Sequence, residues 1–306
     1  MSRVSSEPRQ KSFKNILLFG ANGQLGAKLK SLLSSRGAVR ALTESDLDLR
    51  DLQKLRTLAL QARPDLIVNA AAYTAVDAAE TDADNALLVN CEAPRVMAEA
   101  ARECSALFVH YSTDYVFDGM ARAPYTEESV TQPLGVYGAS KLAGEQAVSA
   151  SGAVALILRT AWLYSNRGKN FLNTMLRLAA ERDELRVVND QFGCPTYADI
   201  VAEASLQMLD RVFDKGVLRR ERCGHYHVSC TGDTTWWHFA KRTIELSGLG
   251  ERVRVLPIGT ADYPTAARRP AYSVLSNTKL ERVFGIQLPD WEQGLKRCLA
   301  ERSENG

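Results

Sequence analysis

Two residues whose types and spacing could do acid–base chemistry are Tyr137 and Lys141, which stand at positions i and i+4. Side chains at this spacing share one face of a helix, so both would point into one pocket if the stretch is helical. A phenol has an unperturbed pKa of about 10, and a nearby ammonium group lowers that pKa because it favours the phenolate. The pair therefore predicts a tuned proton donor. The alternative is an amphipathic helix with a buried Tyr and a solvated Lys, since Tyr-x-x-x-Lys often arises by chance.

A glycine-rich turn follows the first apolar run of the chain, residues 16–19. The run is typical of a buried strand, and a helical pattern of leucines follows the turn. In this context Gly20 permits a tight turn, Gly23 lets the backbone approach a pyrophosphate, and Gly26 lets the helix pack close to the strand. Free N–H groups at the start of the helix would then bind phosphate. The spacing is G-x-x-G-x-x-G, and a plain strand–turn–helix is the alternative.

Further short apolar strands are predicted at 38–42, 66–69 and 107–111, each separated from the next by a helical pattern. This rhythm predicts an α/β fold with a doubly wound parallel Rossmann sheet and a smaller interleaved α/β substrate domain. Ligands bind beyond the carboxyl ends of the strands in such sheets, so the residues that follow each strand should line one crevice with Tyr137. His110 lies within the apolar strand 107–111 and is interpreted as a core histidine.

The predicted domain organisation divides the chain into a tail and two units. Residues 1–14 are polar and are expected to be a disordered tail. The Rossmann domain is predicted over 15–165, rejoined by about 194–232, and the substrate domain over 166–193 and 233–300. The Cys/His-containing segment 223–230 matches no standard zinc spacing and is interpreted as an ordinary strand. Trp236 and Trp237, near the start of a helix, are expected to belong to the core.

Composition excludes several classes of function. The chain has 306 residues, of which 45% are hydrophobic and 24% charged, and its net charge is +2. Since no block of like charge stands out, neither a nucleic acid nor a membrane surface is expected as a partner. The six cysteines are irregularly spaced and are expected to be reduced thiols. With no apolar run long enough for a signal peptide or a membrane span, the expected location is the cytoplasm.

Longer motifs resemble the extended short-chain dehydrogenase/reductase family and, within it, the dTDP-4-dehydrorhamnose reductases. The resemblance covers nearly all of residues 15–300. It rests on the glycine turn and on segments at 69–77 (Asn-Ala-Ala-Ala-Tyr-Thr-Ala-Val-Asp), 111–119 (Tyr-Ser-Thr-Asp-Tyr-Val-Phe-Asp-Gly), 133–138 (Pro-Leu-Gly-Val-Tyr-Gly), 159–162 (Arg-Thr-Ala-Trp), 189–196 (Asn-Asp-Gln-Phe-Gly-Cys-Pro-Thr) and 269–270 (Arg-Pro).

The resemblance implies NAD(P)H-dependent reduction of the C4 keto group of dTDP-4-dehydro-L-rhamnose to dTDP-L-rhamnose, in nucleotide-sugar biosynthesis for cell-surface polysaccharide. Tyr137 would donate the proton, Lys141 would lower the Tyr137 pKa and hold the nicotinamide ribose, and Thr113 would hydrogen-bond the reacting oxygen. Thr113, Asp114, Trp162 and Arg269 would contact the substrate. The cofactor contacts implied, besides Tyr137 and Lys141, are Gly20, Gly23, Gln24, Leu25, Gly26, Asp48, Leu49, Ala71, Ala72, Tyr73 and Tyr111.

Two positions leave the cofactors open. NADPH is the expected cofactor, with NADH as a second one, because Thr43 at the end of the second strand is neither an acid for a ribose nor followed directly by an arginine. Some family members carry a glutamate two residues after the third glycine, which helps bind Mg²⁺ at a dimer interface. Lys28 occupies this position and makes Mg²⁺ doubtful, so a monomer or a homodimer is expected.

Two other functions are alternatives at this stage. Another extended family member, a dehydratase or an epimerase, would use the same fold. The dehydratases carry an Asp-Glu pair after the threonine, whereas Tyr115 follows Asp114 here. A non-catalytic homologue resembling the regulatory subunit of methionine adenosyltransferase is the second alternative, and the presence of Tyr137, Lys141, Thr113 and Arg269 favours an enzyme over it.

Overall fold

The computed structural model describes residues 13–214 and 217–304. Within this part the strands are β1 (Asn15–Phe19), β2 (Ala38–Leu42), β3 (Leu66–Asn69), β4 (Leu107–Thr113), β5 (Ala155–Thr160), β6 (Leu163–Tyr164), β7 (Glu184–Val188), β8 (Phe192–Gly193), β9 (Thr196–Tyr197), β10 (Phe213–Asp214), β11 (Val217–Leu218), β12 (Gly224–His227), β13 (Thr234–Thr235) and β14 (Arg254–Ile258). The α-helices are α1 (Gln24–Leu33), α2 (Leu52–Ala62), α3 (Val76–Ala79), α4 (Ala83–Leu87), α5 (Ala93–Glu103), α6 (Val136–Ala150), α7 (Phe171–Glu181), α8 (Ala198–Val212), α9 (Trp236–Leu246), α10 (Thr278–Phe284) and α11 (Trp291–Glu304).

Six of these strands form one parallel sheet in the order β12-β5-β4-β3-β1-β2. The apolar runs bury both faces of each central strand, and every residue of β4 is buried. One apolar core lies between the sheet and α1, α8 and α10, and a second lies between the sheet and α2 and α5. The predicted doubly wound α/β sheet is confirmed, including the bounds of β2 and β3.

The predicted helix over about residues 85–103 is not regular. A π-helical turn at Leu88–Glu92 separates α4 from α5. Pro94 stands in the first turn of α5 and has no N–H for the carbonyl of Asn90, which explains the wider turn. The turn directs the Asn90 side chain inward, where its amide donates to Tyr73 O at 3.0 Å and to Ser140 Oγ at 3.0 Å. The irregularity therefore ties the loop after β3 to the helix that carries Tyr137.

The second half of the chain adds smaller elements around the sheet. Strand β12 joins the large sheet beside β5, whereas β14 pairs in parallel with β7. A separate apolar cluster packs α7 and α9 against that pair. Strand β14 and helices α10 and α11 were not predicted: Pro257 interrupts the strand pattern, α10 is short, and α11 is rich in charge.

The predicted tail, residues 1–14, overlaps the described part of the chain only at residues 13 and 14. Residues 1–12 lie outside the described residues, but Phe13 is buried and meets Phe213 edge-on, with ring centroids 4.8 Å apart. The chain therefore belongs to the core from Phe13 onward. Among the described residues, no helix is long and apolar enough to cross a membrane.

Candidate active site

A cavity of about 870 Å³ opens at the carboxyl ends of the central strands. It lies where parallel strands of an open sheet present their following loops, as the fold predicts. Predicted site residues on its wall are Gly20, Gly23, Gln24, Leu25, Asp48, Leu49, Ala71, Ala72, Tyr73, Tyr111, Thr113, Asp114, Tyr137, Lys141 and Trp162. Gly26 and Arg269 are not on the wall. The structure thus brings together segments that are up to about half the chain apart.

The glycine turn places the start of α1 against this cavity. Gly20 has a φ of +75°, and a β-carbon there would lie 2.7 Å from the backbone nitrogen of Ala71. A β-carbon at Gly26 would overlap the Gly20 carbonyl, so this glycine serves helix packing rather than the cavity. Gln24, the first residue of α1, accepts hydrogen bonds from Asn170 Nδ2 at 2.8 Å and Ser165 Oγ at 3.1 Å. The glycine turn is therefore bridged to the loop before α7.

Tyr137 lies in the first turn of α6, whose start is held by Glu80. The Glu80 carboxylate accepts a hydrogen bond from the Val136 backbone N–H at 2.9 Å. Burial raises the pKa of Tyr137 to about 12, and the charge of Asp114 adds to this, whereas a hydrogen bond with Thr113 lowers it. A phenol with this pKa is fully protonated near neutrality. It is therefore able to give a proton, and the Thr113 hydroxyl beside it is able to orient the same acceptor.

Lys141 hydrogen-bonds the main chain of strand β4 and also approaches His110. Its ammonium nitrogen lies 2.6 Å from the carbonyl oxygen of Tyr111 and 3.5 Å from Nε2 of His110. Burial lowers the pKa of Lys141 to about 8, against the opposing effect of Glu145. The pKa of Tyr137 is shifted by burial, by Thr113 and by Asp114, and Lys141 is not among these causes.

Tyr111, Tyr73 and Asp114 have hydrogen-bond partners or pKa shifts that the sequence did not indicate. The phenol of Tyr111 donates to Ser205 Oγ at 2.7 Å and packs in the core, so this residue offers its main chain to Lys141. The Tyr73 hydroxyl donates to Asp82 at 3.0 Å. Burial raises the pKa of Asp114 to about 6, although a hydrogen bond from the Thr113 hydroxyl opposes the rise.

Trp162 has an unusual backbone and a stacked side chain. Its φ of +44° is rare for a residue other than glycine. Its ring lies against Gly193, where any β-carbon would overlap the indole. The Trp162 ring also stacks on Trp236, which lines the cavity too. Trp236 was expected to be a core residue only, and no local signal in the sequence distinguishes it from Trp237.

Arg269 stands beside the cavity rather than on its wall. Its Nη2 donates to Asp77 Oδ2 at 2.7 Å, and its guanidinium lies 6.0 Å from the ring centroid of Tyr115, which does line the cavity. The Nη1 atom is buried without a hydrogen-bond partner. An unpaired buried donor is costly, so this atom is available to an anionic group that reaches it.

Two cations at the cavity were missed from the sequence. Arg50 and Lys169 both line it. Arg50 pairs with Asp48, with Nη2 and Oδ2 2.6 Å apart. Residues 43–46 turn back after β2, since Thr43 N–H donates to Asp46 Oδ2 at 2.8 Å. Arg50 lies eight residues beyond the end of β2, so the sequence did not indicate that it lines the cavity. The turn after β2 brings it there.

The residues around Lys28 do not fit a divalent cation. The Lys28 ammonium pairs with Asp199, with nitrogen and oxygen 2.6 Å apart, and lies 4.0 Å from Glu203. Arg297 pairs with Glu203 and Glu301 on the same surface. These carboxylates already have cationic partners, and Lys28 would repel a metal. In the described part of the chain, no group of three His, Cys, Asp or Glu residues is arranged to hold a metal ion.

The segment 223–230 takes part in ordinary packing. His227 is fully buried and its Nδ1 lies 3.1 Å from the carbonyl oxygen of Tyr125. His225 points to Glu145 instead, with Nε2 and Oε2 3.7 Å apart. Tyr226, between them, packs edge-on against Phe284.

The sheet, the glycine turn and the Tyr–Lys cavity define an NAD(P)H-dependent oxidoreductase of the short-chain dehydrogenase/reductase class. A family model described as "RmlD substrate binding domain" matches residues 14–304. The chain is 46% identical over 292 residues to a dTDP-4-dehydrorhamnose reductase of Burkholderia thailandensis, covering 94% of this chain and 98% of that protein. It is 42% identical over 295 residues to the Escherichia coli dTDP-4-dehydrorhamnose reductase, covering 94% and 97%.

Solved structures show the same relationship. A dTDP-4-dehydrorhamnose reductase from Clostridium acetobutylicum superimposes with a TM-score of 0.88 at 37% identity, over 94% of this chain and 99% of that one. The reductase from Bacillus anthracis, solved in complex with NADP, has a TM-score of 0.86 at 37% identity, over the same shares of the two chains, 94% and 99%. The chain belongs to the dTDP-4-dehydrorhamnose reductase family, and the resemblance read from its motifs is confirmed.

Proposed function

We propose that this protein uses NAD(P)H to reduce the C4 keto group of dTDP-4-dehydro-L-rhamnose to dTDP-L-rhamnose, in nucleotide-sugar biosynthesis for cell-surface polysaccharide. The observation that carries the proposal is that Tyr137, Thr113 and Trp162 share one cavity with the glycine turn. The phenol of Tyr137, the hydroxyl of Thr113 and the indole of Trp162 therefore lie in the same cavity as the helix start that would bind phosphate. Membership of the family supports the choice of substrate.

The chain's own groups account for the steps around hydride transfer. NADPH, when bound, supplies the hydride to the carbonyl carbon. The residues that would hold it are those of the turn at Gly20–Gly23 and the start of α1, whose unpaired N–H groups favour phosphate. Tyr137 donates its phenolic proton to the developing alkoxide, while the Thr113 hydroxyl hydrogen-bonds the same oxygen. Proton donation of this kind contributes roughly 10²–10⁴-fold to rate.

The substrate end of the cavity would be formed by Trp162, Asp114 and Arg269. Trp162 lines the cavity, where its indole can contact a sugar ring or a base. The unpartnered Nη1 of Arg269 suits a diphosphate oxygen, since a guanidinium forms charge-assisted hydrogen bonds with phosphate. In this arrangement Asp77 holds the guanidinium in place from the solvent side.

NADPH is the cofactor that we propose as preferred, with NADH accepted more weakly. The support is Arg50, a cation on the cavity wall in the segment that follows β2, where the adenosine ribose binds in such folds. A 2′-phosphate would gain a cationic partner there, and a 2′-hydroxyl would not. We propose no role for Mg²⁺, because Lys28 occupies the carboxylate cluster.

We further propose how the chain is organised and where it acts. Residues 166–193 and 233–300 would act as a substrate domain, which the apolar cluster around α7, α9, β7 and β14 supports. We propose the nucleotide sugar as the binding partner. The protein would act as a monomer or a homodimer. The cytoplasm is the proposed compartment, supported by the six unpaired cysteines.

A spectrophotometric assay tests the function. Purified protein receives NADPH or NADH and dTDP-4-dehydro-L-rhamnose generated in situ, and absorbance at 340 nm is followed. We expect loss of absorbance that depends on the sugar nucleotide, faster with NADPH, and dTDP-L-rhamnose as the product. The proposal is wrong if neither cofactor is consumed, and conversion of the substrate to an isomer without cofactor consumption would indicate an epimerase.

A further inference from the structure

A continuous line of buried polar contacts runs from the loop after β3 to Lys141. The Ala71 backbone N–H donates to Asn69 Oδ1 at 3.1 Å, and Asn69 Nδ2 lies 3.1 Å from His110 Nδ1. Nε2 on the opposite side of the same imidazole lies 3.5 Å from Lys141 Nζ. Asn69 and His110 are fully buried, and Lys141 is only 2% exposed. His110 is therefore a core residue, as predicted, but one that faces the candidate catalytic lysine.

The orientation of Asn69 determines the tautomer of His110. Since Asn69 Oδ1 accepts from Ala71, its amide nitrogen must face His110, and an amide nitrogen can only donate. Nδ1 of the imidazole must then accept, and the ring proton of a neutral imidazole is placed on Nε2. Burial, and next the charge of Lys141, hold the pKa of His110 well below its usual value. The ring is neutral, with Nε2–H directed at Lys141.

The Nε2–H group of His110 affects which protonation state of Lys141 is favoured. An ammonium group has only donors, so it cannot accept a hydrogen bond from Nε2–H, whereas a neutral amine has a lone pair that can. Lys141 meanwhile donates to the Tyr111 carbonyl. The N–H of His110 therefore favours the amine over the ammonium form, and burial acts in the same direction.

The other ionisable groups around Lys141 are few. Glu145, on the same helix, favours the ammonium form, but it is also paired with Arg159 of β5 at 2.6 Å. His225 of β12 approaches this pair on the side of Glu145. Tyr137, Asp114 and Tyr115 line the same cavity as Lys141. His110 differs from these groups because Asn69 determines which of its ring nitrogens carries the proton that faces Lys141.

We propose that His110 is a positioning residue which, held in its Nε2–H tautomer by Asn69, keeps Lys141 poised between amine and ammonium. The proposal rests on the proposed function for its consequence in catalysis. Lys141 then titrates near the working pH and binds a ribose hydroxyl as donor or as acceptor. In the absence of this N–H, Lys141 would stay an ammonium group to a higher pH.

The tautomer is tested in the unmodified protein. Long-range ¹⁵N–¹H NMR spectra of ¹⁵N-histidine-labelled protein should show one buried neutral histidine with its proton on Nε2, assigned through its loss in His110→Gln or His110→Phe. A proton on Nδ1 of His110 would overturn the proposal, whatever the variants do.

The effect on Lys141 is tested by titration without ligand. Protein labelled with ¹³C at lysine Cε, with the signal assigned through Lys141→Met, should show a Lys141 midpoint of about 8. His110→Gln removes the N–H and offers an oxygen to Lys141, so it should raise the midpoint by roughly one unit. His227→Gln, at an equally buried strand histidine that does not contact Lys141, should leave it unchanged. An unchanged midpoint in folded His110→Gln would refute the proposal.

Kinetics separate this proposal from the function itself. In an active enzyme the alkaline limb of the kcat–pH profile should shift upward with the Lys141 midpoint in His110→Gln, while the KM for the sugar nucleotide stays within about 2-fold. A shifted midpoint with an unshifted limb would overturn the positioning role. An enzyme without reductase activity would contradict the proposed function alone, because the two NMR measurements need no substrate.

Discussion

The indole of Trp162 lies flat on that of Trp236, with ring centroids 3.5 Å apart and planes inclined by 4°. The two residues belong to different parts of the chain, one after β5 and the other at the start of α9. Trp236 also packs on Phe171, with centroids 4.5 Å apart, so the pair is anchored in the second half of the fold. The stack therefore holds one aromatic wall of the cavity in place.

We predict that Trp236→Ala raises the KM for the sugar nucleotide roughly 2- to 10-fold, because an aromatic pair contributes about 0.5–1.5 kcal/mol and its loss frees Trp162. Steady-state kinetics at saturating NADPH measure this. Trp237→Ala is the matched control, since its Nε1 donates to Val255 O at 2.9 Å and its ring does not line the cavity. An equal rise in KM for both variants would contradict a specific role for the stack.

Replacement of Tyr137 by phenylalanine should lower kcat by roughly 10²–10⁴-fold, because the proton donor is lost while the ring remains. NADPH affinity, followed by quenching of protein fluorescence, should change little. Tyr125→Phe is the control: its ring is buried on Phe117, and its hydroxyl donates to Asp118 at 2.7 Å, outside the cavity. Near-normal turnover in Tyr137→Phe would remove Tyr137 from its proposed role.

Arg50→Gln should raise the KM for NADPH by roughly 10-fold and leave that for NADH nearly unchanged, since one charge-assisted hydrogen bond contributes about 1.5 kcal/mol or more. Arg40→Gln is the comparison, because Arg40 is an exposed cation of β2 that does not line the cavity. The measurement is the ratio of kcat/KM for the two cofactors. An unaltered ratio in Arg50→Gln would mean that another group recognises the 2′-phosphate.

The buried ion pair of Arg159 and Glu145 should be important for stability. Their side chains are 5% and 2% exposed, and Arg159 also lies over the Phe117 ring at 5.2 Å. Glu145→Ala leaves a buried guanidinium unpaired and should lower the free energy of unfolding by about 3–5 kcal/mol. In contrast, Glu181→Ala breaks an exposed pair with Arg177 and should cost about 0.5 kcal/mol or less. Urea denaturation measures both, and similar losses would contradict this assignment.

Asp114 should make stability depend on pH. Burial raises its folded pKa to about 6, above an unfolded value of about 3.9, so the folded chain binds this proton more tightly. The free energy of unfolding should therefore fall as pH rises from about 4 to about 6, by as much as about 3 kcal/mol from this group. Asp114→Asn removes the dependence, so its stability relative to the parent should increase across that window.

Asp118→Asn is the control of opposite sign. Hydrogen bonds from the Met120 backbone and from the Tyr125 hydroxyl lower the pKa of Asp118. Its contribution to stability is present above the unfolded pKa and is lost as pH falls, so this variant should lose stability relative to the parent as pH rises through about 4. Denaturant midpoints at pH 4, 5, 6 and 7 measure both variants. Parallel pH curves for Asp114→Asn and the parent would contradict the raised pKa.

The amino-acid sequence by itself determined the fold class and much of the cavity. Continuous apolar runs such as Leu66–Asn69 indicate buried parallel strands, and glycines at fixed offsets after a strand require a close turn. Because the carboxyl ends of parallel strands meet at one edge, the loops after β1, β3 and β4 had to converge. The motif residues, Tyr137 among them, could therefore be placed in one crevice without coordinates.

Only the tertiary structure decided which neighbours those residues meet. The stack of Trp236 on Trp162, the return of Arg50 to the cavity, and the contacts of Lys141 with His110 and the Tyr111 carbonyl all join positions far apart in sequence. Local patterns record the period of an element and the places where it starts or stops. Side-chain partners depend on how helices and strands pack in three dimensions. The periodicity of a single helix or strand carries no information about that packing.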